Sequence, residues 1–295
     1  MIRLAITLLC LVSYSIAYPQ SEVEYQKAAI KKEKMLASLV KNPVDVYPGA
    51  HSYVSMSIAL MYGLLGAEDS TLYYLNHALD VCDRYPSDAE CAETYDPNIL
   101  GFYHLREYTK SSEWKKFENR ITTHYKNTYH PVNLPLAIKI LKAGGADQSV
   151  RYYHLLVQTP GAKVIVRETD SLNLLFIKRH IGQHGFPGIS QVGTPASDVA
   201  FLLVQHADDD IAFQKTVLKQ MEKLLVTKDV TPSHYAYLYD RIMVKEQGKQ
   251  YYGTQFRNIS KGELFPIDDK ENVDQRRKIL GLSTLAEYLK SRGTF

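Results

Sequence analysis

Three groups in the C-terminal half have the right residue types and spacing for proton chemistry. His206 closes an otherwise apolar run, Phe201-Leu202-Leu203-Val204-Gln205-His206-Ala207-Asp208. An imidazole with a carboxylate two residues on can exchange a proton while the carboxylate orients it, or the two can share a metal. The plainer role is a helix-end histidine bonded to the last carbonyls. Asp240-Arg241 interrupts the apolar stretch Tyr237-Leu238-Tyr239-Asp240-Arg241-Ile242-Met243-Val244. Such a pair must be bonded or wet, because isolated buried charge is expensive. Asp147 and Arg151, four residues apart, can bridge on one helix face. Tyr251-Tyr252-Gly253-Thr254-Gln255 gathers phenols, a hydroxyl and an amide around a glycine, which suits either a polar ligand or a self-satisfied turn.

The expected roles follow from this chemistry. His206 is the general base, and Asp208 or Asp240 orients or assists it. Arg151 or Arg241 holds an anionic group, while Gln148, Gln205, Tyr252 and Gln255 position the substrate. The reading is a hydrolase-like acid–base enzyme taking a small polar or peptide-like ligand. Two others stand beside it: a structural polar network, and a non-enzymatic binding or effector protein. His180 and His184 share a helix face at i and i+4, but the spacing lacks the glutamate of a metalloprotease helix and offers no third ligand. No metal and no cofactor is expected. There is no phosphate-binding glycine loop, Gly-x-Ser-x-Gly elbow or Cys-x-x-Cys pair.

The elements that must carry these groups are mainly α. A charged amphipathic helix is expected over residues 21–40, stopped by Asn42-Pro43. Further helices are expected over 52–65, over 70–81 with Ser70 as cap, and over 98–108, 113–123 and 134–143. They suggest antiparallel helix pairs. Gly144-Gly145 reads as the clearest internal break. The following domain has helices over 170–184 with Asp170 near the start, 197–206, 210–226, 233–247 and 283–290. Residues 250–256 and 263–267 form a small β-hairpin near its C-terminal end. The divisions are a signal peptide over 1–17, a helical tyrosine-rich region over 18–144, and a motif-bearing helical domain over 145–295.

The first residues read as an export signal. Arg3 precedes a short apolar run, and Ser15 and Ala17 give the small-x-small pattern that signal peptidase cleaves. The run is too short for a stable membrane span, and no later segment is long enough, so no stable membrane insertion is expected after cleavage. The expected location is secreted or periplasmic. Cleavage removes Cys10 and leaves Cys82 and Cys91, a short-range pair suited to a disulfide in an oxidising compartment. A catalytic thiol is the alternative, although no histidine adjoins either cysteine. The net charge of +3, without a basic stripe, gives no basis for nucleic-acid binding. Of the 22 tyrosines, those from Tyr47 to Tyr129 are dense enough either to line a ligand surface or to fill helix contacts.

An ordered series of short motifs supports the domain assignment: Asp147-Gln148-x-x-Arg151, Gly185-Phe186-Pro187, Gln205-His206-Ala207-Asp208, Asp240-Arg241, Tyr252-Gly253-Thr254-Gln255 and Pro266-Ile267, then Arg276-Arg277 and Gly281-Leu282. Over residues 147–289 this series resembles an uncharacterised bacterial domain family. Phe186 stands where that family often has tryptophan. The resemblance implies a map of site residues and no activity.

Overall fold

The computed structural model describes residues 48–85, 91, 94–157, 159–259 and 261–292. The expected signal peptide and the helix over 21–40 lie outside the described residues. By internal contacts the chain divides into two units, one holding the residues up to His130 with Leu134–Ser171, the other Pro131–Asn133 with the residues from Leu172 on. The protein is mainly helical, with one two-stranded antiparallel sheet near its C-terminus.

In the first unit, α1 (Pro48–Leu64) ends at Gly66, whose φ of +70° lets the chain turn back. Helix α2 (Glu68–Arg84) then packs along it and buries Leu72, Leu75 and Leu79. Glu68 and Asp69 at its start and Arg84 at its end suit the helix dipole. Cys82, in its last turn, stands at disulfide distance from Cys91, Cα to Cα 5.2 Å. The single helix expected over 98–108 is instead two 3-10 segments, Pro97–Gly101 and Tyr103–Lys110, broken where Phe102 takes an extended ψ of 125°. The tighter winding puts Leu105 and Tyr108 on one buried face. Helix α3 (Ser112–Tyr129) is capped by Ser111, which accepts from the Trp114 N–H at 3.2 Å, and buries Trp114, Phe117, Ile121 and Tyr125 at helical spacing.

Helix α4 (Leu134–Val157) runs straight through Gly144-Gly145, where the sequence suggested a break. The physical reason is close approach. A Cβ on Gly145 would fall 1.8 Å from the Asn98 carbonyl oxygen, and one on Gly101 would fall 1.8 Å from that of Lys142. These glycines let the first 3-10 segment lie directly on the backbone of α4. Helix α5 (Pro160–His184) likewise begins earlier than expected. Thr159 accepts from the Ala162 N–H at 3.2 Å and Pro160 takes the first turn. Asp170 is therefore a mid-helix residue rather than a first-turn acid.

The second unit carries short α6 (Ile189–Val192), α7 (Thr194–Gln205), α8 (Ile211–Val226) and α9 (Pro232–Gln247). Asp210 caps α8 by accepting from the Phe213 N–H at 2.9 Å. Strands β1 (Phe256–Asn258) and β2 (Glu263–Leu264) pair antiparallel, Phe256 opposite Leu264. Gln250 and Ile267 add one parallel bridge beyond them. Helix α10 (Val273–Ile279), which the periodicity did not suggest, carries Arg276 and Arg277. Helix α11 (Leu285–Ser291) opens with a capping box of Thr284 and Glu287. No described helix is long and apolar enough to cross a membrane.

Candidate functional site

The first unit gathers one polar cluster on α4 and α5. Asp147 is almost fully buried. Gln148 Nε2 donates to its Oδ2 at 2.6 Å, and Arg151 donates to both its oxygens, Nε to Oδ2 at 3.3 Å and Nη2 to Oδ1 at 3.2 Å. The same Nη2 reaches Asp170 Oδ1 on α5 at 2.6 Å. Asp147-Gln148-x-x-Arg151 is thus one knot in which a cation and an amide neutralise a buried carboxylate and tie two helices.

In the second unit, α7 and α9 rise side by side with two polar contacts between them. At the C-terminal end, Arg241 grips Asp208 as a fork, Nε to Oδ1 and Nη2 to Oδ2, both at 2.6 Å. This bidentate geometry fixes the carboxylate, which remains part-exposed. His206 caps α7, its backbone N–H donating to Leu202 O at 3.1 Å. Gln205 and Val204 expose carbonyls that accept from the buried Gln214 amide at 3.4 and 3.2 Å. The Gln205-His206-Ala207-Asp208 turn is thereby held from below by α8 and from the side by α9.

Asp240, the residue before Arg241, does something different. It is wholly buried. Its Oδ1 accepts from the backbone N–H groups of Tyr251 at 2.7 Å and Tyr252 at 2.8 Å; its Oδ2 accepts from the Thr254 N–H and hydroxyl, both at 2.9 Å. Burial pushes its carboxyl above the usual range, and the four hydrogen bonds oppose the rise. Opposite charges hold the other side of the same loop. Arg276 donates to the Tyr251 carbonyl at 3.0 and 2.9 Å, and Arg277 to that of Tyr252 at 2.8 Å. Gln250 completes the frame, bonding the Gln255 N–H and carbonyl and the Phe265 carbonyl.

The loop over 250–255 is therefore fixed by a carboxylate on its amides and two guanidiniums on its carbonyls. Tyr252 sits in a buried aromatic group with Tyr235, Tyr239 and Tyr251, and burial raises its phenol above the ordinary range. The Gln255 amide donates to Tyr237 O at 3.3 Å and Thr254 Oγ1 at 3.0 Å. Groups so committed build the loop. Asp240, expected to orient or assist His206, and Tyr252 and Gln255, expected to position substrate, have their polar groups committed to the loop in this structure.

The N-terminal ends of α7 and α9 hold a pair that sequence reasoning passed over. Asp198 Oδ1 lies 3.4 Å from His234 Nδ1 and accepts from Thr231 Oγ1 at 3.0 Å. His234 stacks on Phe201, centroids 4.2 Å apart and planes within 4°. Burial pushes the Asp198 carboxyl up to about 6 and the His234 imidazole down to about 4. Thr231-Pro232-Ser233 in the sequence signals only a helix start. The usable signal was Asp198 itself, a lone charge in the apolar turn sequence of α7.

The remaining expected groups scatter. His180 and His184 do pair on α5, ring centroids 5.2 Å apart. The tyrosines of the first unit divide: Tyr95, Tyr108 and Tyr125 are buried, while Tyr73, Tyr85 and Tyr129 are exposed. Phe186, Pro187 and Gly188 form a buried loop in which the Phe186 N–H donates to Gln220 Oε1 at 2.8 Å.

Fold and clusters together define a mainly helical protein with a polar, motif-bearing C-terminal half. Residues 136–293 match the model of a family of unknown function (DUF6624), more than half of the chain, and the chain belongs to that family. No curated protein and no solved structure matches it.

Proposed function

We propose that this protein is an exported acid–base enzyme of the hydrolase type, acting on a small polar or peptide-like substrate. His206 takes a proton from water, Asp208 assists it, and Arg241 fixes Asp208. Gln205 contacts the substrate beside them. Asp240 serves as a positioning residue, since it carries the loop that follows α9.

The observation that carries this reading is the fork of Arg241 on Asp208, two bonds of 2.6 Å, at a part-exposed position two residues from His206. An exposed ion pair adds little stability, of the order of 0–1 kcal/mol. A rigid pair there, braced from α9 and placed on a capped turn, is better accounted for by the need to hold a carboxylate still two residues from a histidine. The cysteine pair at disulfide distance supports the exported setting. The test is a panel of chromogenic esters, amides and phosphoesters assayed with the wild type and His206→Ala. Turnover that disappears in the variant while its helical circular dichroism persists supports the assignment; undiminished turnover removes it.

A second reading has one specific observation behind it. Tyr73, 62 % exposed on α2, sits edge-on to Tyr74 at 5.0 Å and stacks with His77 at 6.0 Å. Such a preformed aromatic ledge suits a binding protein. Loss of ligand binding in Tyr73→Ala, with no turnover in the wild type, favours that reading.

A further inference from the structure

The Asp198–His234 pair is placed on the same two helices as the Arg241–Asp208 fork. The two contacts fix the register of α7 against α9: position 198 faces 234 and position 208 faces 241. On α9, His234 lies seven residues before Arg241, about two turns or roughly 10 Å along the axis. On α7, Asp198 lies eight residues before His206, roughly 12 Å. Both side chains still reach the surface, with 17 % exposure for His234 and 25 % for Asp198.

The orientation of the ring is informative. Nδ1 is the buried nitrogen and faces Asp198 without a hydrogen bond of good alignment. The part of the ring left exposed is therefore the edge carrying Nε2. Phe201 fixes the ring plane by parallel stacking, and Thr231 fixes the carboxylate. A carboxylate behind Nδ1 with Nε2 turned outward is the arrangement in which an imidazole exchanges its Nε2 proton with a bound molecule. The 3.4 Å separation is of the loose kind seen where no substrate is bound.

The surroundings decide how many protons the pair holds. Among the described residues no lysine or arginine stands at ion-pair distance from Asp198; Thr231 bonds its carboxylate and His234 faces it. His234 is in the first turn of α9, where the positive end of the helix dipole and burial both oppose an imidazolium. Two desolvated groups of this kind favour the state of zero net charge, reached when the pair takes up one proton. That step falls near pH 6, the value to which burial lifts Asp198, and belongs to the pair rather than to either residue.

We propose that Asp198 and His234 form a dyad that acts as the general acid of the hydrolytic reaction, protonating the departing group of an uncharged ester or amide; this rests on the reading of His206 as the base. Water gives one proton to His206 and its oxygen bonds to the acyl carbon. As the carbon–oxygen or carbon–nitrogen bond breaks, the departing atom takes the proton from Nε2 of His234, and the proton held by Asp198 passes to Nδ1, so the ring stays neutral throughout. The dyad then regains a proton from solvent and His206 releases one, so that a single water is consumed and an acid and an alcohol or amine are formed. An uncharged substrate suits the dyad because Phe201 and the burial around it penalise any extra charge.

The test compares an ester whose departing group needs no proton, the p-nitrophenyl ester of an acyl chain, with the ethyl ester or the alkyl amide of the same chain. His234→Gln is expected to lower kcat on the ethyl ester or amide at least 100-fold more than on the p-nitrophenyl ester. An equal loss on both, or no loss on either, overturns the dyad. His206→Ala is expected to lower all of them alike, so that failure of the base shows as activity in that variant and leaves the leaving-group contrast of His234→Gln to be judged separately. Independently of turnover, the nitrogen resonances of His234 in 15N-labelled protein should show a proton step near pH 6 that Asp198→Asn removes. A His234 that titrates at one and the same pH in both proteins overturns the proposal.

Discussion

Replacing Asp240 should dismantle the loop over 250–255 and, with it, much of the stability of the second unit. Four donors converge on this one wholly buried carboxylate, three of them backbone N–H groups with no other acceptor close by. A hydrogen bond to a charged group contributes about 1.5–3 kcal/mol, and such bonds do not add when they share an acceptor. In Asp240→Ala three amides and a hydroxyl are left unmet, and Arg277 loses an opposing charge. Breaking a buried, bonded charge in this way costs about 3–5 kcal/mol. Asp240→Asn is the sharper variant. Its remaining oxygen can keep the Tyr251 and Tyr252 amides, but its NH2 then faces the Thr254 N–H, two donors in opposition; the expected loss is about 2 kcal/mol. Urea unfolding gives both losses, and hydrogen exchange should speed up most at Tyr251, Tyr252 and Thr254. A loss below about 0.5 kcal/mol in the alanine variant, with exchange unchanged, refutes the idea that the carboxylate organises the loop.

Gly145→Ala sets two effects against each other. Helix propensity favours alanine by about 1 kcal/mol, but the new methyl would meet the Asn98 carbonyl at 1.8 Å, and strain of that kind costs about 3 kcal/mol or more; a raised melting temperature would show that propensity wins. Reducing the Cys82–Cys91 bridge should cost about 2–3 kcal/mol, the value for so short a loop, read as a shift in urea midpoint between oxidised and reduced protein. Asp198→Asn should stabilise the protein at pH 7.5. Its carboxyl is raised from 3.8 to about 6, so the stability it contributes is full below pH 3.8 and lost as pH rises through 6. At about 1.4 kcal/mol per pH unit, discounted for its partial exposure, the gain in the variant is about 1–2 kcal/mol at pH 7.5 and vanishes below pH 4, as paired urea titrations at the two pH values will show.

Local signals were most readable where one residue type has one job. The helix expected over 210–226 does open on Asp210, the one expected over 233–247 opens at Pro232, and Gly66 with φ of +70° ends the one expected over 52–65. A hairpin near the C-terminus was legible, but its first strand is Phe256–Asn258 rather than residues 250–256, because Asp240 and Arg277 hold the backbone of that stretch as a loop. Gly144-Gly145 misled because a glycine needed for backbone-to-backbone contact has the same letter as one that ends a helix. The motif residues were visible as polar groups in apolar settings, but their partners were not. Adjacent Asp240 and Arg241 point to different tasks, the one holding a loop and the other gripping Asp208. Nothing in their spacing could separate these tasks, since one depends on the loop that follows α9 and the other on a turn 33 residues earlier in the chain. Asp198 and His234 escaped notice for the same reason: they are 36 residues apart in sequence and meet only when α7 and α9 align.

The most direct test of the account is kcat for His206→Ala against the wild type on the best substrate of the ester and amide panel, at matched helical content. A loss of at least 100-fold, with urea stability within about 1 kcal/mol of the wild type, is the predicted result. Equal kcat in the two proteins contradicts it, and places the proton chemistry of this family elsewhere than at the end of α7.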